Sequence, residues 1–216
     1  MLHNCGGVEW WLIRHGLTRW NVEHRYQGHS DVDLLPGEEN GLVSLRGELA
    51  GMGFAGVYCS DLKRCRQTLQ WIRPDLIDQV SYDARLRELN FGAWEGQTYE
   101  KLKHDQRYRA WIDDPKRYTP SDGESWEQFH GRVTSFYSEL MQVSKELADR
   151  SVQPGRTDEF GPGQQRSKNE RERRRAVLLI VTHGGVISLL KTLVSPDIGF
   201  WDSRVSPGEI VKLQVF

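Results

Sequence analysis

Cysteine is scarce in this sequence of 216 residues, which contains three: Cys5, Cys59 and Cys65. An odd number without regular spacing does not form the disulfide framework that small secreted proteins use. The segment Met1–Gly7 has neither the basic stretch nor the apolar region of a secretory signal. We therefore expect reduced thiols and a cytoplasmic location.

Strong net charge and long apolar runs are also missing. The formal net charge is -1, which argues against a nucleic-acid binder driven by bulk positive charge. The longest mainly apolar runs, Ala176–Val181 and Val186–Leu190, are far shorter than the roughly 20 residues of a membrane-spanning helix. We expect neither nucleic acid nor a membrane as a partner.

Several motifs of phosphate chemistry are absent. There is no Gly-rich Walker-type loop for nucleotide phosphates. A cysteine phosphatase needs five residues between its Cys and its Arg, whereas Cys59 is followed by Arg64 after four residues and by Arg66 after six. Asp31 and Asp33 are spaced like an aspartyl-phosphate nucleophile pair, but no apolar strand precedes them. The sequence therefore disfavours these three classes of enzyme.

A metal site is not indicated either. His24, His29, Asp31 and Asp33 lie in or beside a polar segment with Gly28 and Pro36, which is typical of a loop. The histidines lack a second matched pair, so a solvated loop is the better interpretation. We expect no metal and no cofactor.

What the chain does contain is an alternation of short apolar strands and amphipathic helices. The predicted strands are Val8–Ile13, Gly56–Ser60 and Ala176–Val181, and the predicted helices are Leu42–Met52, Leu62–Ile72, Glu100–Ile112, Trp126–Leu147 and Val186–Leu193. This alternation predicts an α/β fold with helices on both faces of the sheet.

The length fits one domain over residues 1–216. At about 150–175 the composition shifts to Gly, Pro, Gln, Ser and Arg, with almost no apolar residue to bury. We expect a mobile surface loop there, within the same domain.

Three segments share one layout, in which a strand ends in a turn that carries cations and a helix follows. They are Leu12–Gly16, Tyr58–Arg64 and Val181–Gly185. In open α/β sheets, ligands bind beyond the carboxyl ends of the strands. Helix N-termini beside glycines present backbone N–H groups to anions, and arginine binds two phosphate oxygens at once. The three segments therefore predict one pocket for a phosphate dianion.

These segments also resemble a known family. The chain resembles the histidine phosphatase superfamily, in its phosphoglycerate-mutase-like branch. The residues that carry the resemblance are Leu12–Asn21, Tyr26–Gly28, Tyr58–Thr68, Leu86–Gly92, Trp94–Gly96, Gly123–Ser125 and Val181–Gly185. They follow the family's order and span nearly the whole chain. The resemblance implies a three-layer α/β/α sandwich around a mostly parallel sheet, and a metal-independent phosphatase of small phosphate esters.

The resemblance also implies roles for individual residues. His15 matches the residue that takes up the phosphoryl group, and Glu88 matches the proton donor. Further matches to the phosphate-binding positions are Arg14, Asn21, Gln27, Gly28, Arg64, His183 and Gly184. A neutral imidazole can attack phosphorus, and cations near His15 should disfavour its protonation. Glu124 is a second candidate for the proton-transfer role, or a helix-capping residue.

Two other functions remain open. One is a cofactor-dependent phosphoglycerate mutase. Mutases of this branch usually carry a His-Tyr pair after the acidic glutamate and a paired arginine downstream, whereas this chain has Leu89-Asn90-Phe91 and, after Trp111, Asp113 and Asp114. The other is a non-catalytic phospho-ligand binding protein, which the presence of both His15 and Glu88 disfavours.

Further sequence features concern the substrate. Leu17 stands where many relatives have Glu or Gln. The pattern at Leu86–Gly96 with Gly123–Ser125 resembles the small phosphatases of the branch, including alpha-ribazole phosphatases, so alpha-ribazole 5'-phosphate is a candidate substrate. An aromatic-lined lid, suited to a ring-bearing or apolar ester, is expected from Trp94, Tyr99, Tyr108, Trp111, Tyr118 and Trp126.

Overall fold

A computed structural model describes residues 7–152, 175–202 and 204–216, with the backbone alone for 151 and 152. In this part of the chain one sheet is formed by β1 (Val8–Arg14), β2 (Gly56–Cys59), β3 (Val80–Tyr82), β4 (Ala176–Thr182) and β5 (Ile210–Gln214). The strand order is β3-β2-β4-β1-β5. Strands β1 to β4 are parallel, and β5 pairs with β1 in the antiparallel direction.

Helices connect and cover these strands. They are α1 (Arg19–Val22), α2 (Val43–Leu49), α3 (Lys63–Ile72), α4 (Tyr99–Leu102), α5 (Gln106–Asp113), α6 (Trp126–Val152) and α7 (Gly184–Val194). Short 3₁₀ helices lie at Gly37–Asn40, Pro74–Gln79, Ala84–Leu86, Gly92–Trp94 and Phe200–Asp202. In the described ranges, no helix is both long and apolar enough to cross a bilayer.

Alternate residues of the central strands are buried against helices on opposite faces of the sheet. Trp10 and Leu12 of β1 pack with residues of α6 and α7, whereas Trp11 and Ile13 pack with residues of α2 and α3. Burying one such side chain stabilises the fold by about 1.5–3 kcal/mol, and the buried indole of Trp10 donates to Ser144 Oγ at 2.8 Å. The predicted three-layer α/β/α arrangement around a mostly parallel sheet is confirmed.

Some predicted elements have different bounds. The helix predicted at Glu100–Ile112 is two helices, because the Asp105 carboxylate caps α5 by accepting from the backbone N–H groups of Arg107 and Tyr108. Helix α6 continues to Val152, so residues 150–152 are helical rather than part of the predicted loop. The remainder of that predicted loop, 153–174, lies outside the described residues.

The sheet register positions the functional end of the molecule. Arg14 and Thr182 are paired at the carboxyl ends of β1 and β4. His15 and His183 are therefore the first residues beyond two adjacent parallel strands. The next strand, β2, ends at the same edge, where the Ser60 backbone N–H donates to Val181 O at 2.9 Å.

Candidate active site

The two predicted histidines lie side by side at the carboxyl edge of the sheet. The His15 backbone N–H donates to Thr182 O at 3.0 Å, which ties the turn after β1 to the end of β4. The imidazole ring centroids of His15 and His183 are 5.2 Å apart. Strand pairing thus places two residues that are distant in sequence at one spot.

The tautomer of His15 follows from its backbone contact. Its Nδ1 lies 2.8 Å from Gly16 O, and a carbonyl oxygen can only accept, so Nδ1 carries the hydrogen and Nε2 the free lone pair. The side chain is 3% exposed. Burial, and then the positive charges of Arg64 and Arg14, hold the pKa of His15 well below its ordinary value. His15 is a neutral imidazole with a nucleophilic nitrogen.

His183 is neutral as well, and its nitrogens are used within the protein. Arg64 Nη2 can only donate, so His183 Nδ1 accepts at 3.1 Å and Nε2 donates to Ser60 Oγ at 2.9 Å. Burial is the main cause of a pKa well below the ordinary value, and the charge of Arg64 adds to it. His183 thus orients Arg64 and Ser60 in this arrangement.

Two arginines near these rings, the fully buried Arg64 and the partly buried Arg14, each keep a buried hydrogen-bond donor that is unused among the described residues. Arg64 is fully buried and donates to Ser30 O at 2.8 Å and Gly28 O at 2.7 Å, while Arg14 donates to Val205 O at 2.5 Å. The Nε atoms of both have no hydrogen-bond partner among the described residues. Leaving such a buried donor unpaired costs about 1–3 kcal/mol or more, so these two N–H groups favour binding of an anion.

The loop that holds Arg64 is organised by Glu95. Glu95 accepts from the backbone N–H groups of His29 at 2.8 Å and Ser30 at 2.7 Å, and from Phe91 N–H at 3.1 Å. Gly28 has a positive φ of 49°, and a Cβ there would overlap the Glu95 carboxylate. Sequence reasoning assigned Glu95 no role, although it lies in the Trp94–Gly96 motif.

Gln27 and Asn21 are placed differently from each other. Gln27 is 8% exposed, and its buried Oε1 has no partner among the described residues. Asn21 Oδ1 accepts from the Thr18 backbone N–H at 3.1 Å and closes the capping box of α1. In the described part of the chain, the Asn21 side chain is not hydrogen-bonded to either histidine or to Arg14 or Arg64.

Glu88 is anchored at the start of α7. Its Oε2 accepts from Gly185 N–H at 3.0 Å and its Oε1 from Leu89 N–H at 3.0 Å. A Cβ on Gly185 would overlap the Glu88 carboxylate, whereas one on Gly184 would lie 3.5 Å from Arg14 Cζ. The two glycines thus let the N-terminus of the helix approach both the carboxylate and the guanidinium.

The second candidate carboxylate is bound by a cation. Arg132 Nε and Nη2 donate to Glu124 at 2.6 and 2.8 Å in a two-point contact. The predicted capping role belongs instead to its neighbour, because Ser125 Oγ accepts from Gln128 N–H at 3.1 Å at the start of α6. Glu124 is a partner of Arg132 rather than a cap.

A cavity of about 470 Å³ opens from this site. Arg14, Glu88, Gly184 and Gly185 line one part of it, and Arg204 lies in its wall. The rest of the lining is mainly apolar and includes six aromatic side chains, Phe91, Trp111, Trp126, Phe129, Phe200 and Trp201. The arrangement can hold a phosphate at the polar part and a flat apolar group against the wall.

Two of the six aromatic residues predicted to form a lid line the cavity. Trp111 and Trp126 line the cavity. Trp94 and Tyr108 do not line it; they are buried in a cluster with Leu102 and Trp111. Tyr99 and Tyr118 are partly exposed and do not line the cavity. Sequence reasoning missed Phe200 and Trp201, which come from the segment after α7.

No group of three or more His, Cys, Asp or Glu side chains in the described residues is arranged to hold a metal ion.

Comparison with known proteins identifies the chain's relatives. The family model "Histidine phosphatase superfamily (branch 1)" matches residues 10–148. The chain is 30% identical to the adenosylcobalamin/alpha-ribazole phosphatase of Escherichia coli strain K12, over 92% of this chain and 85% of that protein. The crystal structure of the alpha-ribazole phosphatase from Shigella flexneri superimposes with a TM-score of 0.72 and 28% identity, covering 94% of this chain and 89% of that one.

A second kind of relative matches over a shorter stretch. The Citrobacter koseri protein named "Probable phosphoglycerate mutase GpmB" is 30% identical over 62% of this chain and 63% of its own length.

Proposed function

The chain belongs to the histidine phosphatase superfamily, and with that as the premise we propose that it hydrolyses small phosphate monoesters through a phosphohistidine on His15. The observation that carries the proposal is a buried, neutral imidazole that feels the charges of Arg64 and Arg14, whose Nε–H groups are both unpaired among the described residues. A nucleophilic nitrogen and two donors for an anion are the groups that phosphoryl transfer requires.

In the first step, the ester phosphate binds to the Nε–H groups of Arg14 and Arg64. His15 Nε2 attacks phosphorus, the N–P bond forms and the P–O bond to the leaving group breaks. The departing oxygen takes a proton from the protonated carboxyl of Glu88, which lines the same cavity as Arg14. The alcohol then leaves.

The second step releases inorganic phosphate. Water attacks the phosphorus, Glu88 accepts the water's proton, and the N–P bond breaks to restore neutral His15. His183 contributes by fixing Arg64 through Nδ1. Side chains and backbone amides fill every role, so the mechanism is metal-independent.

The wall of the cavity supports a substrate with a ring-bearing leaving group. Aromatic side chains form much of the lining beyond the phosphate end, and ring stacking contributes about 0.5–1.5 kcal/mol beyond area burial. We propose alpha-ribazole 5'-phosphate as the candidate substrate, because alpha-ribazole phosphatase is the activity named for relatives that match nearly the whole chain.

The alternative, a phosphoglycerate mutase, requires additional cations for the carboxylate of its substrate. In the described lining the cations are Arg14 and Arg204. Lys116 and Arg117 follow Trp111 in the sequence, but neither is among the described lining residues. Lys116 Nζ lies 5.6 Å from the Trp126 ring centroid, and Arg117 Cζ lies 5.6 Å from that of Tyr118. This arrangement favours the phosphatase.

The deciding experiment measures the fate of the phosphoryl group. Purified protein in excess chelator is given aryl phosphates, alkyl phosphates, alpha-ribazole 5'-phosphate and 3-phosphoglycerate, the last with and without 2,3-bisphosphoglycerate. We expect release of inorganic phosphate from several esters and little formation of 2-phosphoglycerate. Rapid interconversion that depends on the bisphosphate, with little phosphate released, would establish the mutase instead.

The intermediate is tested in the same preparation. Protein quenched in alkali after exposure to ³²P-labelled ester should hold a base-stable, acid-labile label on His15. The variant His15→Ala should hold none and turn over none. Label on a serine, cysteine or aspartate would contradict the mechanism.

A further inference from the structure

The backbone carbonyl of Glu88 accepts two hydrogen bonds from side chains on other elements. Arg132 Nη2, on α6, donates at 2.8 Å, and His29 Nε2 donates at 2.9 Å. Glu88 itself lies between the 3₁₀ helices Ala84–Leu86 and Gly92–Trp94, outside any helix or strand. Its position therefore depends on these side-chain contacts rather than on a regular backbone ladder.

Arg132 uses all five N–H donors of its guanidinium. Nη1 donates to Arg85 O at 2.8 Å and to Arg87 O at 2.6 Å. Nη2 donates to Glu88 O at 2.8 Å and to Glu124 at 2.8 Å, and Nε donates to Glu124 at 2.6 Å. One side chain thus binds three carbonyls of the segment that carries Glu88, and a carboxylate as well.

Glu124 holds the guanidinium from the opposite side. Both carboxylate oxygens are used by Arg132, and Oε2 is also 3.3 Å from the Asn90 backbone N–H. The side chains of Arg132 and Glu124 are 18% and 12% exposed, so the pair is well shielded from solvent. A shielded charge pair with every donor satisfied is rigid, because each lost contact leaves a buried polar group unpaired.

We infer that Arg132, anchored by Glu124, is the positioning residue that places the Glu88 carboxyl for proton transfer. The inference rests on the proposed function, since it concerns how well Glu88 reaches the leaving oxygen. Arg132 is absent from the cavity lining, and it acts through the backbone of residues 85–88. Lysine at this position would keep the charge, but three donors cannot make five contacts in one plane.

The positioning of Glu88 can be measured by comparing the rates on esters with poor and good leaving groups. Glu88→Gln keeps its shape but donates no proton, so it should slow alkyl phosphates by about 10²–10⁴-fold and activated aryl phosphates far less. A shift of about 1 Å in a reacting group can cost on the order of 10²-fold in rate, so Arg132→Lys should lower kcat on alkyl phosphates by about tenfold to a hundredfold. Its kcat on aryl phosphates and its KM should change little.

Arg85→Lys is the matched control. Arg85 precedes Glu88 by three positions and, like Arg132, joins this segment to α6, through Glu139 at 2.6 Å. In the described residues its side chain forms no hydrogen bond or ion pair with Glu88. Replacing the Arg85 guanidinium by the ammonium group of lysine should leave the ratio of alkyl to aryl rates at the wild-type value.

A double-mutant cycle separates positioning from a general loss of structure. Once Glu88→Gln has removed the proton donor, adding Arg132→Lys should slow alkyl esters by less than about twofold further. Full additivity of the two losses, or an equal loss on aryl and alkyl esters in Arg132→Lys, would overturn the inference. If Arg132→Lys does not fold, Glu124→Gln takes its place in the cycle and should act in the same direction. Wild-type protein that forms no phosphohistidine would instead refute the proposed function.

Discussion

At the scale of residues, hydrogen-bond partners distinguish the two carboxylates near the cavity. Glu88 accepts from two backbone N–H groups, and its side chain lines the cavity. Glu124 is held at two points by Arg132. A carboxyl that must both give and accept a proton cannot be paired permanently with a guanidinium, because that pair stabilises the ionised form alone. In the described residues no guanidinium is bound to the Glu88 carboxyl, and that carboxyl faces the cavity in which the leaving oxygen would lie, which supports Glu88 as the proton donor.

Gly185→Ala tests how closely the Glu88 carboxyl is confined. The added Cβ would overlap Glu88, so the carboxyl must move, and we expect a loss of about tenfold or more in kcat on alkyl phosphates. Gly184→Ala is the comparison, because its Cβ would lie at an ordinary 3.5 Å from Arg14 Cζ. Phosphate-release assays on paired alkyl and aryl esters should show a changed ratio in Gly185→Ala and the wild-type ratio in Gly184→Ala. Equal ratios in both variants would contradict this account of Glu88.

Local patterns in the sequence reveal some site residues and hide others. Arg14, His15 and His183 are recognisable because each ends or follows an apolar strand, where parallel sheets bind ligands. Glu95 and Arg132 have no such signal. Glu95 acts on His29 and Ser30, and Arg132 acts on Glu88, across contacts that only the folded chain creates.

At the scale of elements, the success of prediction depends on the length and regularity of the pattern. Strands β1 and β4 are seven residues each and strongly apolar, so both were predicted. Strand β3 has three residues, of which two are exposed, and it carries no pattern that separates it from a loop. Strand β5 was missed because its burial alternates only weakly at the edge of the sheet. The split between α4 and α5 depends on one capping side chain, Asp105.

The 3₁₀ helix Phe200–Asp202 supplies part of the aromatic wall, and Trp201→Ala tests its role. Trp201 is 58% exposed, so truncation should cost little stability. Its ring is 4.5 Å from that of Phe200 and 6.3 Å from that of Trp126. Losing one stacking contact of about 0.5–1.5 kcal/mol should raise KM for ring-bearing phosphates by about two- to tenfold.

Small alkyl phosphates provide the internal control for Trp201→Ala, since they do not reach the wall and their KM should be unchanged. Tyr99→Ala is the matched variant, because Tyr99 is 47% exposed and lies outside the lining. Equal changes in KM for both kinds of ester would remove Trp201 from substrate recognition.

At the scale of the whole molecule, two buried neutral histidines make stability depend on pH. Burial lowers the pKa of His15 and of His183 in the folded state, so below about pH 6.5 the unfolded chain binds protons that the folded chain does not. The free energy of unfolding should therefore fall as the pH falls from about 6.5 toward the lowered folded-state values. Each histidine contributes about 1.4 kcal/mol per pH unit within that window.

Urea denaturation at pH 7.5, 6.5 and 5.5 measures this loss. His15→Asn removes one titrating group, so its free energy of unfolding should fall less steeply than that of the wild type. His104→Asn replaces an exposed histidine and is the control for the substitution itself. If His15→Asn left this pH dependence unchanged, folding would not lower the pKa of His15, which would contradict this account.

The strand order has a further consequence during synthesis on the ribosome. The two strands that flank β1 in the sheet are β4 and β5, and both are translated long after β1. At about 5–20 residues per second, β1 waits on the order of ten to thirty seconds for β4. Throughout that time Trp10, Leu12 and Ile13 belong to a strand with two open edges, the kind of segment that pairs with other chains. We therefore expect nascent chains that stop before β4 to expose a tryptophan-bearing strand and to bind chaperones.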